Sequence, residues 1–152
     1  MFGCFKKSYI LSFRLFDVMK ACILYFSQTG NTKKFAEAIS ESLETDAVFD
    51  ITSTEPTVVN EYDIIVLGTP VHGFNPSKEA MAYVESLSQC NGKQAALFCT
   101  CRLWKGRTFS KLKKELKKKG YNTITCVSAK AKEFTKEDFV EPIAEIVKAL
   151  KK

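Results

Sequence analysis

Five short apolar runs, each followed by a stretch with helical spacing, constrain this chain more than any other feature. Ala21–Phe26 (ACILYF) is continuously apolar, as a parallel strand buried on both faces must be. Ala47–Ile51, Tyr62–Gly68 (YDIIVLG), Gln94–Cys99 and Tyr121–Ser128 read as further strands, the second of these with three β-branched residues at its centre. Between them, apolar residues recur three and four apart. Phe35, Ala36, Ile39 and Leu43 mark one helix, and Ala80, Val84 and Leu87 a second, with Pro76 after Asn75 as its expected first position. Phe109, Leu112 and Leu116 mark a third, ended by Gly120. The last helix opens with Thr135 and Asp138 in capping-box-like spacing and carries Phe139, Ile143, Ile146, Val147 and Leu150 on one face. Parallel neighbours need crossovers, so the alternation predicts an α/β fold with a parallel sheet covered on both sides. Periodicity alone does not give the strand order.

The 152 residues suit one domain, and no apolar run approaches the ~20 residues of a membrane-spanning helix. Net charge is +6, concentrated between Lys111 and Lys119, where six lysines face the single Glu115. No aromatic residue interleaves with these lysines, so the run reads as a solvated helix face and not as a single-strand nucleic-acid site. Cysteines stand at 4, 22, 90, 99, 101 and 126, without C-x-x-C spacing and with His72 as the one histidine. This argues against zinc and iron–sulfur sites and for reduced thiols in the cytoplasm. Residues 1–18 (MFGCFKKSYILSFRLFDV) do not fit the alternation, and Arg14 interrupts what would be a signal-peptide centre. They are expected to be an N-terminal extension or a mis-assigned start before Met19, leaving 19–152 as the domain.

In open α/β sheets ligands gather beyond the carboxyl ends of the strands, and three loops there carry chemistry. The first, Ser27-Gln28-Thr29-Gly30-Asn31-Thr32, offers three hydroxyls, a glycine and free amides at a helix N-terminus, a combination that suits a phosphate dianion. It lacks the P-loop lysine, which argues against nucleoside triphosphate hydrolysis.

Tyr25-Phe26-Ser27-Gln28-Thr29-Gly30-Asn31-Thr32, following a first strand, resembles the FMN phosphate loop of flavodoxins. Gly68-Thr69-Pro70-Val71-His72-Gly73-Phe74-Asn75-Pro76 is similar to the loop along the flavin ring in that family, and Thr100-Cys101-Arg102-Leu103-Trp104-Lys105-Gly106 falls where the other ring-contacting loop lies. The resemblance runs from Lys20 to the C-terminus and is closest to the short-chain subgroup. It implies a three-layer sandwich with a five-stranded parallel sheet, order 2-1-3-4-5, helices on both faces and FMN at the switch point between strands one and three. The phosphate would meet the side chains of Ser27, Thr29, Asn31 and Thr32 and the amides from Gln28 past Gly30. The ring would lie between Thr69, Pro70, Val71, His72, Gly73, Phe74 and Asn75 on one side and Thr100, Cys101, Arg102, Trp104 and Gly106 on the other, with backbone near Gly73 facing N5.

The resemblance also implies individual roles. Trp104 stacks on the flavin and Phe74 covers the other face, or Trp104 merely packs its loop onto the sheet. His72 bonds a ring carbonyl or is an idle loop histidine. Cys101 reads as an idle thiol, because no resolving partner shows at workable spacing. Arg102, Lys105 and Arg107 depart from the family's usual acidic surroundings; positive charge should stabilise the reduced, anionic flavin, raising its potential, and favour an acidic redox partner. The expected function is electron transfer between redox proteins by a monomer or weak dimer, with neither nucleic acid nor membrane as partner. Two alternatives stay open: an FMN-dependent NAD(P)H:quinone-type reductase, and a cysteine phosphatase using Cys101-x5-Arg107-Thr108. A receiver domain is excluded, since no acidic residue follows strand one or strand three. A flavin-free interaction module is also compatible with the fold.

Overall fold

The computed structural model describes residues 19–151. The expected N-terminal extension, with Cys4, lies outside them. The strands are β1 (Ala21–Tyr25), β2 (Val48–Asp50), β3 (Ile64–His72), β4 (Asn75–Pro76), β5 (Gln94–Cys101) and β6 (Asn122–Lys130). The helices are α1 (Asn31–Leu43), α2 (Lys78–Ser86), α3 (Thr108–Lys118) and α4 (Glu137–Leu150), with 3-10 turns at Ile51–Ser53 and Pro56–Glu61. The parallel strands run in the order β2-β1-β3-β5-β6, which is the 2-1-3-4-5 order that the resemblance implies, and β4 adds an antiparallel pairing to β3.

Alternation along each strand splits the core in two. Cys22 and Leu24 of β1, Ile65 and Leu67 of β3, and Ala95, Leu97 and Cys99 of β5 face α2 and α3, where they meet Ala80, Val84, Leu112 and Leu116. Ile23 and Tyr25, Val66, Ala96 and Phe98 face the other way, onto Phe35, Ala36 and Ile39 of α1 and Phe139 and Ile146 of α4. Phe35 anchors this second layer, with ring centroids 4.8 Å from Phe98 and 4.7 Å from Phe139. Fully burying side chains of this size is worth ~1.5–3 kcal/mol each, so the stripes legible in the sequence are also the residues that hold the layers together.

Several boundaries differ from the sequence expectation, and the ends of β3 and β5 and the start of α2 matter at the site. β3 does not stop at Gly68 but continues to His72, and β5 continues to Cys101. The strand extension continues past Gly68 because that residue sits in register between Tyr25 and Phe98, where its missing side chain admits the Phe98 ring. Pro76 is not the first helical residue: it belongs to β4, and Ser77 caps α2, its Oγ accepting from the Ala80 N–H at 3.1 Å. At α4, the Asp138 carboxylate accepts from the Thr135 N–H at 2.8 Å, the reverse half of a capping box.

Candidate functional site

The first loop passes from β1 into α1 through Gly30, the helix N-cap, which lies in the left-handed region at φ 98°. Ser27 folds the loop back: its Oγ accepts from the N–H groups of Gly30 (3.0 Å) and Lys33 (3.2 Å). No side chain caps the helix from Gly30, and the first turn holds no acidic residue but does hold Lys33 and Lys34. The partial positive charge of the helix end is thus reinforced, which suits an anion. Gln28 and Thr29 are exposed, and the Asn31 amide donates to Thr29 Oγ1 at 3.3 Å. Thr32 is placed differently: it is buried, and its hydroxyl pairs with that of Thr100 at 2.8 Å, tying the first loop to β5.

The second loop is a hairpin, not an open loop. His72 pairs with Asn75 and Val71 with Pro76, leaving Gly73 and Phe74 as the two turn residues, at φ 57° and 63°. Such a two-residue turn needs both residues left-handed, which suits glycine and is unusual for a bulky aromatic. Phe74 is held there by the third loop: its carbonyl accepts from the Arg107 N–H at 2.8 Å, and Gly106 packs so closely that a Cβ on it would lie 2.3 Å from that carbonyl oxygen. A backbone conformation costing ~1–3 kcal/mol persists only when its surroundings over-determine it, and such strain gathers at functional sites.

Around this junction, Phe74, Leu103 and Trp104 are exposed at 48%, 70% and 58%, and the Phe74 and Trp104 rings lie 5.6 Å apart at 52°. Trp104 therefore does not pack its loop onto the sheet; it leans on Phe74. Thr69, by contrast, turns inward: its hydroxyl accepts from the Ser77 N–H at 3.0 Å and reaches Ser77 Oγ and the Pro70 carbonyl. Asn75 donates to the Gly73 carbonyl at 2.8 Å, while its Oδ1 is buried without a partner. Between the first loop and the hairpin opens a cleft of about 730 Å³, lined by Phe26, Gln28, His72, Asn75, Pro76 and Met81 among others. Arg102, Trp104 and Gly106 do not line it. The sequence reading missed Ser77 and Met81, because it treated residues 68–76 as one loop and so had no face on which to place them.

Arg102, Lys105 and Arg107 are exposed, giving the third loop a cationic rim that runs on into the exposed Lys111, Lys113 and Lys114 of α3. Cys101 sits behind this rim at 7% exposure. The neighbouring Cys99 thiol, donating toward it, lowers Cys101 from the ordinary thiol value to about 7 against the opposing effect of burial, with help from Lys130 and Lys105. Cys99 itself is pushed strongly upward by Cys101 and by burial. Because β5 runs on to Cys101, strand alternation puts Cys99 and Cys101 on one face, a neighbour that a strand ending at Cys99 does not show. The same geometry weighs against the phosphatase alternative. An oxyanion cradle needs the loop amides pointing at the thiol, but the Arg107 N–H is bonded to Phe74 and Cys101 is turned under the loop toward Cys99.

Comparisons with known proteins agree with this geometry. An uncharacterised protein of Methanocaldococcus jannaschii is 30% identical over 109 residues, covering 70% of this chain and 71% of the relative. A flavodoxin of Clostridium saccharobutylicum is 30% identical over 89 residues, covering 54% of this chain and 56% of the relative. Among solved structures, oxidised flavodoxin 1 of Bacillus cereus superposes with a TM-score of 0.71 at 24% identity, covering 86% of this chain and 96% of that one. A Lactobacillus acidophilus flavoprotein solved in complex with FMN has a TM-score of 0.55 at 19% identity, covering 73% and 93%. At these identities the two structures speak for the fold. Residues 22–137, most of the described chain, match the flavodoxin domain, and the chain belongs to that family.

Proposed function

We propose that residues 19–152 bind FMN at the carboxyl end of the sheet and carry electrons between redox proteins. The observation that carries this reading is the N-terminus of α1, which holds no acid, carries Lys33 and Lys34 in its first turn and lies one strand away from an exposed aromatic pair. The flavin complex of the Lactobacillus acidophilus neighbour supports the choice of cofactor.

The residues present fit such a group. Ser27, Thr29 and Asn31 and the amides from Gln28 onward would hold the phosphate, those of Gly30 and Lys33 by exchanging Ser27 Oγ for it, whereas Thr32, its hydroxyl committed to Thr100, would serve through its backbone. The orphaned Oδ1 of Asn75 supplies a buried acceptor on the hairpin for a ring N–H, and burying it unpaired costs ~1–3 kcal/mol that such a bond would recover. Thr69, Pro70, Val71, His72 and Gly73 form the hairpin side of the ring site, and Thr100, Cys101, Arg102, Trp104 and Gly106 the other side. When bound, FMN supplies a centre that accepts and releases electrons one or two at a time. A ring held between Phe74 and Trp104 needs about 7 Å between them, twice an aromatic contact distance, so Trp104 would swing away from its 5.6 Å contact. Arg102, Lys105 and Arg107 would stabilise negative charge at the reduced ring and raise its potential, and would steer an acidic partner protein onto the exposed edge.

The turn and loop that frame the site are short, at two residues (Gly73 and Phe74) and between Cys101 and Thr108, leaving the aromatic edge open to a partner. That openness favours a carrier over a reductase, which must cover a nicotinamide. The described cysteines are free, as suits the cytoplasm, and no helix among the described residues is long and apolar enough to cross a membrane. The deciding experiment loads the full chain with FMN, reduces it and mixes it with acidic and basic acceptor proteins. Transfer to the acidic acceptor that slows with added salt supports the carrier; steady NAD(P)H oxidation with a quinone would replace it with the reductase.

A further inference from the structure

β5 ends in Cys99-Thr100-Cys101, and the alternation of the strand turns Thr100 toward α1 and both cysteines toward α3. Two residues apart on a strand, their Cα atoms are separated by ~6.6 Å, at the upper edge of the ~4.4–6.8 Å that a disulfide spans, and their Cβ atoms by about as much against the ~3.5–4.5 Å it needs, so the bond closes only when the end of the strand bends toward Cys99. The pair is graded in access: Cys99 is fully enclosed, while Cys101, the last residue of the strand, is 7% exposed. Lys130 is the register partner of Cys101, and Lys105 lies in the loop that follows it, so the outer thiol faces two cations. A third thiol, Cys126 on β6, stands beside Cys99 on the same side of the sheet. Cys99, Cys126 and Lys130 take no part in holding the phosphate or in the electron path proposed above, while Cys101 and Lys105 border the proposed ring site.

We infer that Cys101 and Cys99 form a redox-active dithiol, Cys101 being the thiol attacked by a small two-electron oxidant such as hydrogen peroxide and Cys99 the thiol that resolves it. The Cys101 thiolate attacks one peroxide oxygen, the O–O bond breaks, and Cys101 sulfenic acid and hydroxide result. Cys99 sulfur then attacks the sulfenic sulfur, its proton and the departing hydroxyl leave as water, and the disulfide forms. Two thiols and one peroxide thus give one disulfide and two waters. Lys105 and Lys130 favour the thiolate that begins the sequence, and the Cys99 thiol donates toward it until it is called on. The placement at the end of β5 gives the step its use. Closing the bond draws the strand end toward Cys99 and moves the loop that carries Arg102, Trp104 and the Gly106–Phe74 junction.

The test uses the full chain, reduced, freed of flavin and exposed to stoichiometric hydrogen peroxide near pH 7. Trypsin releases Gln94–Arg102, which contains Cys99 and Cys101 and no other cysteine. The expected result is a peptide lighter by about 2 Da, reversed by dithiothreitol and unchanged in Cys126→Ser. In Cys99→Ser, Cys101 is expected to accumulate as a sulfenic acid trapped by dimedone. A wild-type peptide that gains only oxygen or does not change overturns the inference, as does a link to Cys126 in place of the internal one. Because no flavin is present, failure here leaves the FMN reading untouched, and failure to bind FMN leaves this result untouched.

Discussion

Replacing Gly68 by alanine tests how the strand extension that carries the hairpin is built. An ideal Cβ at this position would lie 2.0 Å from Phe98 Cζ, 2.1 Å from Cε2 and 2.6 Å from Cε1. Carbon atoms settle ~3.5–4.0 Å apart, so the ring must retreat by roughly 1.5–2 Å. It has nowhere to go. Phe98 is fully buried, with Phe35 at 4.8 Å, and Phe35 in turn is stacked on Phe139 at 4.7 Å. The alternative, moving the β3 backbone, breaks a ladder in which Gly68 pairs with Tyr25 on one side and Phe98 on the other. Overpacking of this kind costs ~1–3 kcal/mol, and the rigidity of the aromatic layer places Gly68→Ala near ~3 kcal/mol. For a chain of this length that lowers Tm by about 6–12 °C. Phe98→Leu removes the ring atoms that clash, so the double variant should be more stable than Gly68→Ala alone, although Phe98→Leu by itself leaves a cavity. Urea unfolding of the wild type, both single variants and the double variant measures the coupling. If Gly68→Ala changes stability by less than about 0.5 kcal/mol, or the two costs simply add within about 0.5 kcal/mol, the packing argument is wrong.

The buried Thr32–Thr100 pair should behave as a unit: Thr32→Val strands the Thr100 hydroxyl and costs ~1–3 kcal/mol, while adding Thr100→Val recovers part of it, as denaturation of the three variants would show. Trp104 is the chain's one tryptophan, so FMN binding against it should quench its fluorescence; emission unchanged at saturating FMN would remove Trp104 from the ring site. Burial raises Cys22, Tyr83 and Tyr121 to about 12. Between their unfolded values of about 9–10 and 12 the folded chain holds protons that the unfolded chain has lost, so stability should fall as pH rises through that window and stay level between pH 7 and 8.5 on their account. Thermal melts across that range check the sign.

The fold was legible because its five parallel strands read as short apolar runs and its four helices each carry a periodic apolar stripe, which states the face that turns inward. The strand order came through the resemblance of Tyr25–Thr32 and the two later loops, since periodicity is silent about neighbours. The ends of β3 and β5 were not legible, for a physical reason. Gly68, Thr69 and Pro70 look like loop residues, yet Gly68 is there for the Phe98 ring, the Thr69 hydroxyl turns inward to Ser77, and Pro70 is half-buried beside Thr100. Ending β5 at Cys99 likewise hid that Cys101 continues the same face. The first loop was read as a phosphate site by its chemistry and its contact residues through the resemblance, and the exchange of Thr32 from a surface hydroxyl to a buried one depends on Thr100, 68 positions away, which no local pattern encodes.

The most direct measurement of the central claim is FMN binding by the purified full chain, followed by absorbance after free flavin is removed. The account predicts flavin bands at one FMN per chain, and weaker retention in Gly30→Val, whose side chain opposes the left-handed N-cap at φ 98°. A folded chain that stays colourless at saturating FMN would contradict the cofactor and the function, while leaving the fold and family in place.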